Sequence, residues 1–315
     1  MRGTIASILA LLAACAPSTP PNEESRSLRW RALDSAPSKR TEVAAASVEG
    51  KIFVAGGFVG SGATVALVEI YDPNKSAFLS GPPLPLPVNH PMAASDGKTF
   101  FVLGGYVGQG LTKPTDRAFA FDGNRWVELP QMPEARAAGG AAFAEGKIFV
   151  VGGVGPDGLA AGTLVYDLAS KKWTTQPGLS TPREHLGVAS DGSRIYAVGG
   201  RAPDNLGAAE VFDPKARRWL PLPSMPTPRG GLSAAFVAGR VIAVGGEGPN
   251  GTFDEVEAFD TRSRTWTALP PLPTPRHGLG VAASRGVLYV IAGGPQPGYS
   301  FSGVSEALDL TPSAR

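Results

Sequence analysis

All three histidines of this 315-residue chain, His90, His185 and His277, fall in short segments that open with an arginine or with its replacement. At regular intervals that position reads Arg40, Val88, Arg136, Arg183, Arg229 and Arg276. The next position reads Thr41, Asn89, Ala137, Glu184, Gly230 and His277, and the one after it Glu42, His90, Ala138, His185, Gly231 and Gly278. Five guanidiniums near one rim suit bidentate capture of carboxylates. A repeated arginine can equally serve repeated architecture, bridging neighbouring units through carbonyls or carboxylates. Glu42 with His90, and Glu184 with His185, are carboxylate–imidazole combinations of the kind used in acid–base catalysis, although solvated rim polar groups are the more ordinary role. Three imidazoles around one axis would suggest a metal site. The register opposes it, because Leu186-Gly187-Val188 aligns with Leu279-Gly280-Val281 and sets His277 opposite Glu184. On a pleated strand His277 then points away from His185, so no metal and no cofactor is expected.

The elements that must position these residues are repeats. Lys147-Ile148-Phe149-Val150-Val151-Gly152-Gly153 is a short apolar strand ending on two glycines, and five similar strands end at Gly57, Gly105, Gly200, Gly246 and Gly294. A period of this length means stacked copies of one supersecondary unit. The 41 Gly and 30 Pro fall at the same phase of every copy, so they read as turn chemistry rather than disorder. After each Gly-Gly comes a loop, then a strand ending in an aromatic and an aspartate: Tyr71-Asp72, Phe121-Asp122, Tyr166-Asp167, Phe212-Asp213 and Phe259-Asp260. An aromatic opens the next strand at Phe78, Trp126, Trp173, Trp219 and Trp266, followed by a proline-rich crossing to the arginine position. Each aspartate is placed to accept backbone N–H groups in the turn that follows it.

These Arg, diglycine, Tyr-Asp and Trp marks over residues 27–315 resemble the kelch repeat. The resemblance implies an all-β, six-bladed kelch-type β-propeller with four antiparallel strands per blade, A to D from the inside out. Trp30 precedes Arg40 by the same ten residues that separate Trp126 from Arg136 and Trp266 from Arg276. Trp30 is therefore a D strand without its own A, B and C. At the other end Leu308-Asp309 occupies the aromatic-Asp position, and the chain stops where a sixth D strand would begin. The N-terminal strand Leu28–Leu33 is expected to complete blade six beside Ser302–Leu310, closing the ring and covering a sheet edge.

Residues 1–14 combine Arg2 with an apolar run too short to span a bilayer, the pattern of a secretory signal peptide. Leu12-Ala13-Ala14-Cys15 resembles the bacterial lipobox, which implies lipidation at Cys15, the only cysteine. Residues 15–26 then form a lipidated, proline-rich tether. The expected location is the bacterial cell envelope, at the outer membrane, since residue 16 is not aspartate.

In kelch propellers the loops after the diglycines and the D-to-A crossings share one face at the mouth of the central channel. That face would hold the binding residues: Arg40, Arg136, Arg183, Arg229 and Arg276, with Arg201 and the stacking surfaces Tyr106 and Tyr299 on the loops. Basic and acidic residues nearly balance at 29 to 27 with no basic run, which argues against a nucleic-acid partner. No nucleophile elbow, P-loop or HExxH zinc motif is present. The copper chemistry of the related galactose oxidase propeller needs a cysteine cross-linked to tyrosine, which Cys15 cannot supply. The reading is a monomeric, lipid-anchored binding module whose mouth takes a protein segment or an envelope glycan. The alternative is a sugar-modifying enzyme of the N-acetylneuraminate epimerase type using Glu42, His90, Glu184 and His185. A closed pocket holding Glu and His within hydrogen-bond reach favours the enzyme; a broad open rim favours binding.

Overall fold

The structure, a computed structural model, describes residues 28–311. The expected signal segment, the expected lipidation at Cys15 and the expected tether lie outside the described residues. Six four-stranded antiparallel sheets radiate from a central channel, and no α-helix occurs among the described residues. In blade one, strands A to D are Ala44–Val48, Lys51–Ala55, Val68–Asp72 and Ala77–Ser80. The A strands of the other blades begin at Met92, Gly140, Gly187, Ser233 and Gly280, and each touches the A strand of the next blade, with blade six against blade one.

Closure occurs as the sequence predicts. Trp30–Ala32 is the fourth strand of blade six, antiparallel to Ser305–Asp309. The register is that of a covalent blade. Trp30 pairs with Leu308 as Phe78 pairs with Tyr71, Trp126 with Phe121 and Trp266 with Phe259. In all five covalent blades this aromatic pair packs with ring centroids 5.0–5.4 Å apart, as in Tyr166–Trp173 and Phe212–Trp219. The aspartates cap their turns: Asp122 accepts the N–H groups of Asn124 and Arg125, and Asp260 those of Arg262 and Ser263.

Neighbouring blades are stitched by two contacts. The Trp indoles of Trp30, Trp126, Trp173, Trp219 and Trp266 donate to proline carbonyls of the preceding crossing, Pro270, Pro82, Pro130, Pro177 and Pro223. In blades one to five the second glycine of the pair donates its N–H to the carbonyl at the next blade's arginine position, for example Gly105 to Arg136 at 2.8 Å. The first glycine has no room for a side chain. A Cβ on Gly104 would lie 2.0 Å from the Arg136 oxygen, at a φ of +57°.

Blade six departs from the sequence reading by one residue. There Gly293, not Gly294, donates to the Arg40 carbonyl. Ala292 takes the first-glycine position at φ 60°, a left-handed conformation unusual for a residue with a Cβ.

Candidate functional site

The channel mouth is built from three successive ring positions. The third, Glu42, His90, Ala138, His185, Gly231 and Gly278, is left-handed throughout, with φ between 49° and 69°. Its backbones form an inter-blade girdle: His90 N–H donates to Glu42 O, Ala138 to His90, His185 to Ala138, Gly231 to His185 and Gly278 to Gly231, at 2.7–3.1 Å. The second position pairs with the residue after the diglycine, as in Asn89–Tyr106, Glu184–Arg201, Gly230–Glu247 and His277–Gly294. The D-to-A crossings and post-diglycine loops therefore do share one face.

Side chains carried by this girdle meet in a closed circuit. His90 Nε2 lies 3.1 Å from Glu42 Oε2, and Glu42 Oε1 lies 3.1 Å from His277 Nδ1. His277 Nδ1 is 3.7 Å from Glu247 Oε2. Both His277 contacts are electrostatic rather than aligned hydrogen bonds. Arg201 bridges Glu247 Oε1 at 3.2 Å and Glu184 Oε1 at 2.8 Å. Glu184 Oε2 accepts from His185 Nδ1. The His185 ring meets His90 at 4.9 Å in a T-shaped contact, which returns to the start.

Above the circuit is a cavity of about 150 Å³ walled by Phe58, Leu111 and Tyr299. A second cavity of about 110 Å³ runs along the innermost strands, and Glu42, His90 and His185 line both.

The charges follow from burial and pairing. Burial pushes His90 down to about 4, against the opposing pull of Glu42, so it is neutral at pH 7. Burial works against ionisation of Glu42 as well, but the surrounding histidines outweigh it and hold the carboxyl well below its usual range. Burial also disfavours charge on His277, yet Glu42 and Glu247 together raise its pKa above the ordinary value. Glu184 is lowered by His185 and Arg201 against its own burial.

The four candidate acid–base residues, Glu42, His90, Glu184 and His185, are thus brought together, with Arg201 beside them. Tyr299 stands at the lip, 63% exposed, its ring edge against Phe58 at 5.3 Å. Tyr106 does not serve as a stacking surface. It is 3% exposed, packed on Ala137, Ala138 and Val154, and burial pushes its hydroxyl up to about 12.

The arginine rim is also corrected. Arg40, Arg136, Arg183, Arg229 and Arg276 are all 0% exposed. Each turns inward and binds carbonyls of its own blade, so it neither captures a ligand nor bridges neighbours. Arg183 donates to the carbonyls of Gly199, Thr181 and Ala197, and to Glu210 at 2.6 Å. Arg40, Arg229 and Arg276 hold Glu69, Glu257 and Glu306 in the same way. These glutamates sit two residues before the aromatic-Asp position. Blade two has Val88 and Phe119 in place of the pair, and blade three has Leu164, with Arg136 turning to Glu134 instead. The joint loss of both partners in blade two was a sequence signal for this buried clasp.

His277 is corrected too. It occupies the register position expected, but strand alternation does not carry through a left-handed third residue, and the imidazole turns into the circuit. The metal-competent set that the structure brings together is nevertheless not the three histidines. One donor atom from each of Glu42, His90 and His185 lies within 4.8 Å of the others. Sequence alone does not single out Glu247, whose only signal is its place directly after a diglycine.

Comparison with known proteins agrees with this architecture. A family model described as Kelch motif matches residues 39–85, 182–226 and 228–273, which fall on blades one, four and five. Kelch-like protein 41a of Danio rerio is 31% identical over 147 residues, covering 45% of this chain and 24% of that protein. The similarity thus spans about a quarter of that relative's length. The chain is a six-bladed propeller carrying kelch motifs, the fold of a protein-interaction module.

Proposed function

We propose that the chain is a binding module held in a bacterial envelope by a lipid on Cys15, its mouth face taking a protein segment or an envelope glycan. The observation that carries the binding reading is the mouth cavity. At about 150 Å³ it admits a single ring-sized group, with fixed ionic partners at its floor and the Phe58, Leu111 and Tyr299 surfaces at its lip. One side chain or one terminal sugar would enter while the rest of the partner lies across the loops. A few anchoring contacts of this kind carry most of the energy of an interface.

The sugar-modifying enzyme is the second reading, and the 3.1 Å approach of His90 to Glu42 favours it. The ionisation of the pair favours binding. A carboxylate held far below neutrality is a weak base, and an imidazole at about 4 is almost wholly deprotonated at pH 7 and has no proton to give.

Binding is tested on a glycan array and a displayed peptide library with the wild type, Tyr299→Ala and Arg201→Ala. Tyr299→Ala should weaken binding about tenfold, the effect of losing one aromatic anchor, and leave the melting temperature unchanged because the ring is exposed. Full binding by both variants would remove the mouth cavity from the function. The anchor is tested separately: Cys15→Ser is expected to abolish incorporation of labelled palmitate in cells, and label on the variant would refute lipidation there.

A further inference from the structure

His90 and Glu42 face each other across 3.1 Å, Nε2 to Oε2. The opposite edge of His90 is committed. Asn89 directs its amide nitrogen to Thr64 Oγ1 and the Tyr106 carbonyl, so its Oδ1, 2.7 Å from His90 Nδ1, is the acceptor of that ring's N–H. With Nδ1 committed to Asn89, Nε2 is the ring nitrogen left to face the Glu42 carboxylate oxygen. His185 is fixed in the same manner. Its Nδ1 donates to Glu184, itself held by Arg201, and Nε2 remains the free donor.

We propose that Glu42, His90 and His185 hold one divalent transition-metal ion, of the zinc type, on the channel axis at the floor of the mouth. Three donors, one from each residue, already lie within 4.8 Å of one another. The imidazole centroids are 4.9 Å apart at 80°. Two imidazoles on one tetrahedral ion, with bonds of about 2.0–2.1 Å, have centroids about 5 Å apart. Metal-binding histidines characteristically give their other N–H to a carboxylate or carbonyl, which fixes ring and tautomer; Glu184 and Asn89 supply these partners. His277 and Gly278 lie on the Oε1 side of Glu42, leaving Oε2 to the ion. The carboxylates of Glu42, Glu184 and Glu247 supply the negative charge that a divalent cation needs. The two cavities meet at these residues, so a fourth position faces the mouth and takes a water or an oxygen donor of an entering group. The site stands whichever partner the mouth accepts.

The test is calorimetric titration of the full, tag-free chain with zinc chloride, alongside the visible spectrum with cobalt. One zinc per chain is expected, with a Kd of about 1 µM or tighter and a tetrahedral cobalt band that zinc abolishes. His90→Ala, His185→Ala and Glu42→Gln should each weaken zinc binding by about 100-fold or more, and Asn89→Ala by about 10- to 100-fold. Absence of zinc heat together with absence of a tetrahedral cobalt band overturns the site, as does one-site binding that the three ligand substitutions leave unchanged. Should a ligand variant fail to fold, the wild-type cobalt spectrum and Asn89→Ala decide the matter.

Discussion

A chain lacking residues 27–36 is expected to melt about 10 °C or more below the intact protein. The deleted segment supplies the whole fourth strand of blade six. It also carries the hydrogen bonds from Leu33 N–H to Ser305 and from Ala36 N–H to Gly303, and the Trp30 indole bond to Pro270. Leu28 and Trp30 pack against the cluster that includes Leu272, Leu308 and Leu310, and Ala36 is buried between blades six and one. Counting about 1 kcal/mol for each of these three hydrogen bonds and 1–2 for each of the two partly buried apolar side chains gives a loss of roughly 5–7 kcal/mol. A domain of this size loses about 2–4 °C per kcal/mol. The deletion also bares the edge of Ser305–Asp309, so light scattering should rise on heating as edges pair between molecules. A synthetic peptide of residues 27–36 should restore part of the melt by mass action. Coincident melts of deleted and intact chains would show that the strand closes nothing.

That closure was readable because the relevant signal is a distance along the chain. Ten residues separate Trp from Arg in four complete crossings, and Phe78 from Val88 in the fifth, so an orphan Trp30 ten residues before Arg40 has one place to go. The turn aspartates were readable for the same reason, since their hydrogen bonds are local. The mouth was not, because it depends on backbone handedness and on contacts between blades. Pleat alternation turns His277 away only if the residue after it is extended. Gly231 and Gly278 at that third position were the hint that it is left-handed, and the non-glycine Glu42, His90 and His185 adopt the same conformation. Counting Gly-Gly pairs misplaced blade six because Ala292 accepts a glycine's φ there. The arginines misled because repetition marks importance without marking direction. Reading Arg40, Arg183, Arg229 and Arg276 together with Glu69, Glu210, Glu257 and Glu306 shows charge partners 27–30 residues apart, each glutamate two residues before the aromatic-Asp position of its own blade.

Arg183→Ala is expected to destabilise the protein by about 3–5 kcal/mol, because it leaves Glu210 buried without its cation, and to act on binding only through lost folding. The guanidinium is fully buried and serves three carbonyls besides the carboxylate. Blade two shows the compensated alternative in this same chain, an apolar Val88 with Phe119. Arg183→Val combined with Glu210→Phe should therefore recover most of the loss, since a buried ion pair exchanged for apolar packing is often neutral. Urea unfolding of the wild type, single and double variants measures the difference. Acid separates them further. Burial opposes ionisation of Glu210, but Ser180 and Arg183 overcome it and set its folded pKa below the ordinary value. A carboxyl lowered on folding contributes its stability in full above its unfolded pKa and loses it as pH falls through the folded one. The wild type should thus lose stability below about pH 4.5 more steeply than the double variant. A double variant as unstable as Arg183→Ala would mean that the carbonyl contacts, rather than the ion pair, hold the blade together.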